Sequence, residues 1–429
     1  MRKKTVKCGA AALIAIMGIA SLSGCGNKEK VSDTKSTTES SGSTVSDGGF
    51  DPTSDEVKDK TKEIENYIKY YYYFDEDPEK QAESYYDGIM EGLDDPYSVY
   101  YTKEEYQQLM EDDSGTYVGI GCNVSTNVET GEIYVVRPIV GSPAEKIGIL
   151  PQDVIVKVDD TEITADMQLE TVVKMIRGEE GTDVTVYIKR EGEKDIIPFK
   201  ITRAVVENKT VSYEMGQDTI GYISVDQFIE NTPDQFIEAI DTLTAQGATC
   251  FIIDLRYNPG GLLTSVIKMV DYIVADDAKV EGDTSAGDLL YTKDKNDKLI
   301  DKYTCSDHHS VDVPIIVLVN ENSASASEVF TSCMRDYGKA KIVGTTTYGK
   351  GIVQTILPLK DGSAIKITIA KYYTPSMTEI HKIGIKPDVE VELDDDVKKM
   401  VTIPLEKDKQ LQEAIKQLGF TPDPTIWDK

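Results

Sequence analysis

Two short stretches hold residue types that could do chemistry together: Ser323-Ala324-Ser325-Ala326-Ser327-Glu328 and Tyr348-Gly349-Lys350-Gly351. A serine hydroxyl is a poor nucleophile until a base takes its proton. The chain has three histidines, His308, His309 and His381, and none lies in a serine-triad context. A neutral lysine can serve instead if burial lowers its pKa from about 10.4 towards neutrality. Lys350 suits that role, because flanking glycines let backbone and substrate approach closely. The 25 residues from Ser325 to Lys350 leave room for one helix and a return onto a strand. Gln354 follows four residues on. If residues 349–357 are extended, Lys350, Ile352 and Gln354 face one way, and an amide carbonyl there can hold the amine without adding charge.

Acyl transfer also needs donors for a developing oxyanion. Asn258-Pro259-Gly260-Gly261-Leu262 follows the apolar run Cys250–Leu255 and reads as a strand-to-helix turn with exposed N–H groups. Gly260 or Gly261 is one expected donor, and the Ala326 N–H at a helix start is the other. Asn258 has a second reading, as a cap for a helix at Leu262. Ser323, Ser325 and Ser327 compete for the nucleophile role, and each could equally be a helix N-cap. Flanking alanines favour Ser325 slightly; residue chemistry alone does not decide.

The elements expected to carry these groups alternate. Strand patterns fall at Ile220–Val225, Cys250–Leu255, Pro314–Asn320, Lys341–Gly344, Ile352–Pro358 and Ala364–Tyr373. Helical patterns lie between them at Pro233–Gln246, Leu262–Val274 and Ala324–Tyr337, so a layered α/β core is predicted. The polar stretch Ala278–Val313 reads as a long connection, and Leu405–Leu418 as a last helix. Upstream, Tyr117–Arg203 changes character, with short strands at Ile133–Arg137, Val154–Val158 and Val184–Arg190 and a helix at Gln168–Ile176. Tyr117-Val118-Gly119-Ile120-Gly121, then Gly141-Ser142-Pro143-Ala144, then Gly148–Ile155 resemble a PDZ domain in order and spacing. Tyr117, Gly119, Ile120 and Gly121 would then form the loop that grips a peptide's C-terminal carboxylate, beside a strand edge that pairs with the peptide. From Asp55 to about Asp113 the pattern is helical, broken at Leu93-Asp94-Asp95-Pro96-Tyr97-Ser98, with Thr102 and Glu105 spaced to cap the next helix. The run Tyr70–Tyr73 reads as a packing surface or a dimer contact.

Formal charge is −29, and a surface so acidic repels nucleic acid, so no nucleic-acid partner is expected. Arg2, Lys3, Lys4 and Lys7 precede an apolar stretch from Ala10 to Leu22 that is too short to span a bilayer comfortably, as in an export signal. Leu22-Ser23-Gly24-Cys25 resembles the lipobox of bacterial lipoproteins, in which the cysteine is lipidated. The Ser/Thr/Asp-rich stretch Gly26–Gly49 reads as a tether. A cell-membrane protein anchored by lipid at Cys25 on the extracytoplasmic face is expected. Cys122, Cys250, Cys305 and Cys333 form no CxxC or Cys/His cluster, so no metal or cofactor is expected.

The runs Asp254–Gly261, Asn322–Glu328 and Thr347–Gly351 with Gln354 resemble the carboxy-terminal processing protease family, as do the PDZ segment and Leu93–Ser98. The resemblance spans about Tyr67 to Val391. It implies a crotonase- and Clp-like α/β core and a Ser-Lys-Gln peptidase: Ser325 as nucleophile, Lys350 as general base, Gln354 as its orienter. Gly260 or Gly261 with Ala326 would form the oxyanion hole. It also implies protein substrates recognised at their C-termini, and a homodimer through the N-terminal helices. Val329-Phe330-Thr331-Ser332-Cys333 replaces the small residues typical of the family, which puts the specificity pocket in question. The implied organisation is a signal at 1–24, tether 25–50, helical region 51–115, PDZ domain 116–204, protease core 205–395 and helical tail 396–429. The rival reading is a PDZ adaptor lipoprotein whose hydrolase-like domain only binds peptides.

Overall fold

The computed structural model describes residues 51–127, 130–216, 219–280, 286–400 and 403–423. The expected signal segment, Cys25 and the tether lie outside the described residues. Among the described residues, 51–94 form a unit of their own, and those from Asp95 onward form a second. The first holds the helices Asp55–Tyr71 and Pro78–Glu91, capped by Ser54 and Asp77. Tyr70, Tyr71, Tyr72 and Tyr73 are all exposed in the single chain, so they are not an internal packing surface.

The second unit is built around a six-stranded sheet in the order Val211–Met215, Ile220–Val225, Cys250–Asp254, Ile315–Val319, Ala340–Gly344, Val389–Glu390. All pairs after the first are parallel. Cys250–Asp254 and Ile315–Val319 are buried at every residue, which is why they read as unbroken apolar runs. On one face, Ile253, Val317 and Val319 pack on the helices Thr232–Ala245, Leu263–Ile273 and Ala326–Asp336. The other face, with Ile252, Ile316 and Leu318, is covered by Leu411, Ala414 and Ile415 of the helix Lys409–Gln417. That helix starts four residues later than its pattern suggested, because Asp408 caps it by accepting from the Leu411 N–H.

A second sheet carries the lysine segment. Its central strand Ala364–Tyr373 pairs antiparallel with Ile352–Pro358, with Val99–Tyr101 and with Asp288–Lys293, and Leu299–Thr304 adds an outer strand. Two expectations are corrected here. The supposed connection Ala278–Val313 contains the hairpin Asp288–Lys293/Leu299–Thr304, whose Leu289 and Leu290 enter the main core. The supposedly all-helical stretch before Asp113 contains the strand Val99–Tyr101. Thr102 and Glu105 form the expected capping box.

The helix Lys103–Ser114 leads into a small β domain with an edge strand Cys122–Thr126 and the helix Leu169–Ile176. A cavity of about 380 Å³ lies beside them, lined in part by Tyr117, Gly119, Ile120, Gly121, Val173 and Arg177. Cys122, Cys250, Cys305 and Cys333 are free thiols.

Candidate active site

Ser325 stands where the chain turns from the strand Ile315–Val319 into the helix Ala326–Asp336, in a backbone conformation of φ 55° and ψ −114°. Positive φ is costly for a residue with a Cβ. What separates the three serines is their hydroxyl bonding. Ser323 Oγ donates to the Leu255 carbonyl (2.8 Å) and accepts from the Asn320 N–H (2.9 Å). Ser327 Oγ donates to the Asn258 carbonyl at 2.9 Å. Ser325 Oγ is buried; it faces the Glu328 N–H in the manner of a capping box, but that N–H is taken by the Ser325 carbonyl (2.8 Å), and the hydroxyl makes no hydrogen bond among the described residues. Ser325 alone has a hydroxyl free to react.

The Asn258–Leu262 turn packs directly against it. Asn258 is fully buried: Nδ2 donates to the Val225 carbonyl (2.7 Å), Oδ1 accepts from the Gly260 N–H (2.8 Å), and its carbonyl accepts from the Ala324 N–H (3.1 Å). It joins two loops, and the alternative reading as a helix cap is set aside. At Gly260 (φ 101°) a Cβ would come within 2.8 Å of Ser325 Cβ and 2.9 Å of Ala326 N, so only glycine leaves open the space before that N–H. The Gly260 N–H is committed to Asn258. The bridge between Gly261 and Phe228 uses the Gly260 carbonyl and the Leu262 N–H and leaves the Gly261 N–H unused by it. Ala326 is the first helical residue, so its N–H has no intrahelical acceptor.

Lys350 and Gln354 are each only 3% exposed; Ile352 and Gln354 share the buried face of the strand Ile352–Pro358, which starts later than expected and leaves Lys350 in the loop before it. The glycines around Lys350 allow the close backbone approach expected of them. A Cβ at Gly349 would meet Gly384 N at 2.9 Å, and one at Gly351 would meet His381 N at 2.6 Å. The backbone they admit is the chain's own segment His381–Gly384.

Lys350 Nζ lies 4.3 Å from the centroid of the Tyr97 ring, a cation–π contact. Among the described residues it forms no ion pair and no hydrogen bond. Burial lowers its pKa to about 8, helped by the charge of Lys366, while Asp95 and Glu328 act the other way. Lys366 is itself buried, donates to Tyr101 Oη at 2.7 Å, and neighbours Asp113, whose carboxyl burial pushes up to about 7. Gln354 Nε2 donates to Thr368 Oγ1 (3.3 Å), and Gln354 Oε1 is buried without a partner among the described residues. Among the described residues the side chains of Ser325, Lys350 and Gln354 are not hydrogen-bonded to one another.

Residue reasoning passed over two groups that clamp the site. Glu328, fully buried, accepts from the Ser325 N–H (2.9 Å), the Lys350 N–H (2.8 Å), the Gly349 N–H (2.7 Å) and Thr347 Oγ1 (2.5 Å). Burial raises its pKa and these four donors pull it back. The Ser-x-x-Glu spacing of a capping box was the signal that could have found it. On the carbonyl side, Tyr372 Oη lies between the Ser325 carbonyl (3.1 Å) and that of Lys350. Val329, Phe330 and Cys333 are buried in the core, where Phe330 meets Phe236 edge to face.

Residues 219–391 match the model of peptidase family S41, and residues 134–190 match that of a PDZ domain. The chain belongs to peptidase family S41. It is 39% identical over 341 residues to a probable CtpA-like serine protease of Staphylococcus haemolyticus, covering 78% of this chain and 66% of that protein. To one from Staphylococcus epidermidis it is 41% identical over 321 residues, covering 75% and 62%. The chain therefore spans about two thirds of the length of these curated S41 relatives. Among solved structures it is similar to a photosystem II D1 C-terminal processing protease, at 27% identity and a TM-score of 0.46, covering 86% of this chain and 92% of that one. The family model covers both the Asn258–Gly261 turn and the serine and lysine segments, and the PDZ match covers part of the small β domain, leaving Tyr117–Gly121 and the edge strand Cys122–Thr126 outside it.

Proposed function

We propose that the chain is a serine endopeptidase, tethered by lipid to the extracytoplasmic face of the cell membrane, that cleaves proteins near their C-termini. The observation that carries this reading is the free Ser325 hydroxyl in a buried site that also holds a lysine with a lowered pKa. Lys350 swings off the Tyr97 ring, takes the Ser325 proton, and Oγ attacks the scissile carbonyl carbon. The resulting oxyanion is received by the N–H groups of Ala326 and Gly261, with Gly260 keeping the space open. Collapse breaks the C–N bond, and the Lys350 ammonium returns its proton to the departing amine. Water, deprotonated by the same lysine, then releases the acyl group. Gln354 Oε1 holds the amine in line throughout.

The cavity beside Tyr117–Gly121 and the edge strand Cys122–Thr126 suits a substrate C-terminus added as a strand. The exposed tyrosines of the first unit suit a second copy of the chain.

Incubating the purified protein with a folded protein bearing an apolar C-terminal tail should yield a shortened product, and Ser325→Ala should yield none. No cleavage by either would leave a peptide-binding PDZ protein instead. Intact-mass measurement of the mature N-terminus should show a lipidated Cys25, and an unmodified Cys25 would remove the anchor.

A further inference from the structure

The two ends of a glutamine amide have the same shape and opposite chemistry. Only the carbonyl end can accept from a lysine amine, so something must decide which end faces Lys350. In this site Nε2 donates to Thr368 Oγ1, which leaves Oε1 as the buried end without a partner among the described residues. Thr368 is the cross-strand neighbour of Gln354, at the point where the register shifts between Val353 and Gln354. Bulges of this kind re-aim side chains next to functional sites.

Behind Thr368 stands the turn Asp95-Pro96-Tyr97-Ser98, which is distant in sequence. Thr368 donates its N–H to Ser98 Oγ at 3.1 Å, and Ser98 donates its hydroxyl to Asp95 Oδ2 at 2.6 Å. The Tyr97 N–H donates to Asp95 Oδ1 at 3.1 Å. Burial acts to raise the Asp95 carboxyl, but the Ser98 and Thr368 hydroxyls, the Tyr97 N–H and the Lys350 charge outweigh it and hold it ionised. An ionised carboxylate only accepts. Ser98 therefore turns its hydrogen to Asp95 and meets the Thr368 N–H with a lone pair, which fixes Thr368 where its Oγ1 accepts from the Gln354 amide.

We propose that Asp95, Ser98 and Thr368 form a positioning relay for Gln354, a carboxylate acting through two hydroxyls to present Gln354 Oε1 to the amine of Lys350. The relay rests on the Ser-Lys-Gln reading above and adds the reason the glutamine faces the right way. It also gives the Asp95–Ser98 turn a part in the reaction, although Asp95 lies 230 residues before Ser325 in the chain.

The test is steady-state cleavage of a peptide with an apolar C-terminus by the full chain. Thr368→Val keeps the shape and removes the hydroxyl. Its kcat should fall roughly tenfold to a hundredfold with KM unchanged, as expected for a misaligned catalytic group. Thr368→Ser restores the hydroxyl and should recover to within about threefold of the wild type. Adding Thr368→Val to Gln354→Ala should cost nothing further, because the relay acts only through that amide. Wild-type kcat in Thr368→Val, failure of Thr368→Ser to recover, or multiplied losses in the double variant would each overturn the relay. Should Thr368→Val not fold, Asp95→Asn carries the same test from the other end, assayed well above the Lys350 pKa of about 8, where losing the Asp95 charge no longer changes the neutral lysine fraction: a loss in kcat alone, non-additive with Gln354→Ala. Lys350→Ala is assayed alongside. Full activity there means the Ser-Lys-Gln reading has failed; an inactive Lys350→Ala with a fully active Thr368→Val means only the relay has.

Discussion

Lys350→Ala should lower turnover of a peptide substrate by about 10³- to 10⁴-fold with little change in KM, the upper range for loss of a general base. The argument is electrostatic. Burial disfavours the ammonium, the neighbouring Lys366 charge disfavours it further, and the two together outweigh the opposing charges of Asp95 and Glu328, leaving a pKa of about 8. A base works only when neutral, so the sign is fixed: activity rises with pH through about 8 and levels off above it. At pH 7 roughly one molecule in ten carries the amine in its reactive form. Lys350→Arg should be as inactive as the alanine variant, because a guanidinium does not lose its proton in this range. A kcat/KM profile across this range checks both points. A flat profile, or near-normal turnover by Lys350→Ala, would take the lysine out of the mechanism.

Glu328→Ala should reduce stability by roughly 3–5 kcal/mol and abolish activity together with it. One carboxylate, fully buried, receives the backbone N–H groups of both Ser325 and Lys350, and also those of Gly349 and the Thr347 hydroxyl. Removing it strands four donors in a place water does not reach, and each stranded group costs about 1–3 kcal/mol. Glu328→Gln keeps the volume but puts a donor against donors, so its loss should be intermediate. Urea unfolding of the three proteins gives the ordering. An alanine variant with the wild-type midpoint would show that the four bonds contribute nothing net.

The fold was legible wherever burial writes itself into a pattern. Cys250–Asp254 and Ile315–Val319 are covered on both faces and read as strands without help. The Thr102/Glu105 cap declared itself by spacing. Val99–Tyr101 did not, because three residues carry no period and the partner strand lies 265 residues on. The hairpin 288–304 was obscured by lysines and aspartates on its exposed side, with its outer strand exposed at almost every position. In the site, spacing pointed to Ser325, Lys350 and Gln354 and left three serines in contention. What separates them is which hydroxyl meets a carbonyl of Leu255 or Asn258, nearly 70 residues away. Glycine placement was read correctly as close backbone approach without the segment that makes it, since nothing local to Gly349 and Gly351 says that His381–Gly384 will arrive there.

The positive φ at Ser325 has an evolutionary consequence. A glycine would sit there without strain, so the most stable residue for this turn is one that carries no hydroxyl. With Ser325 as the proposed nucleophile, folding and chemistry ask for different residues at this turn, and a change to glycine there would be downhill in folding free energy. A homologue that has abandoned the reaction while keeping the scaffold would be expected to have given up this serine first.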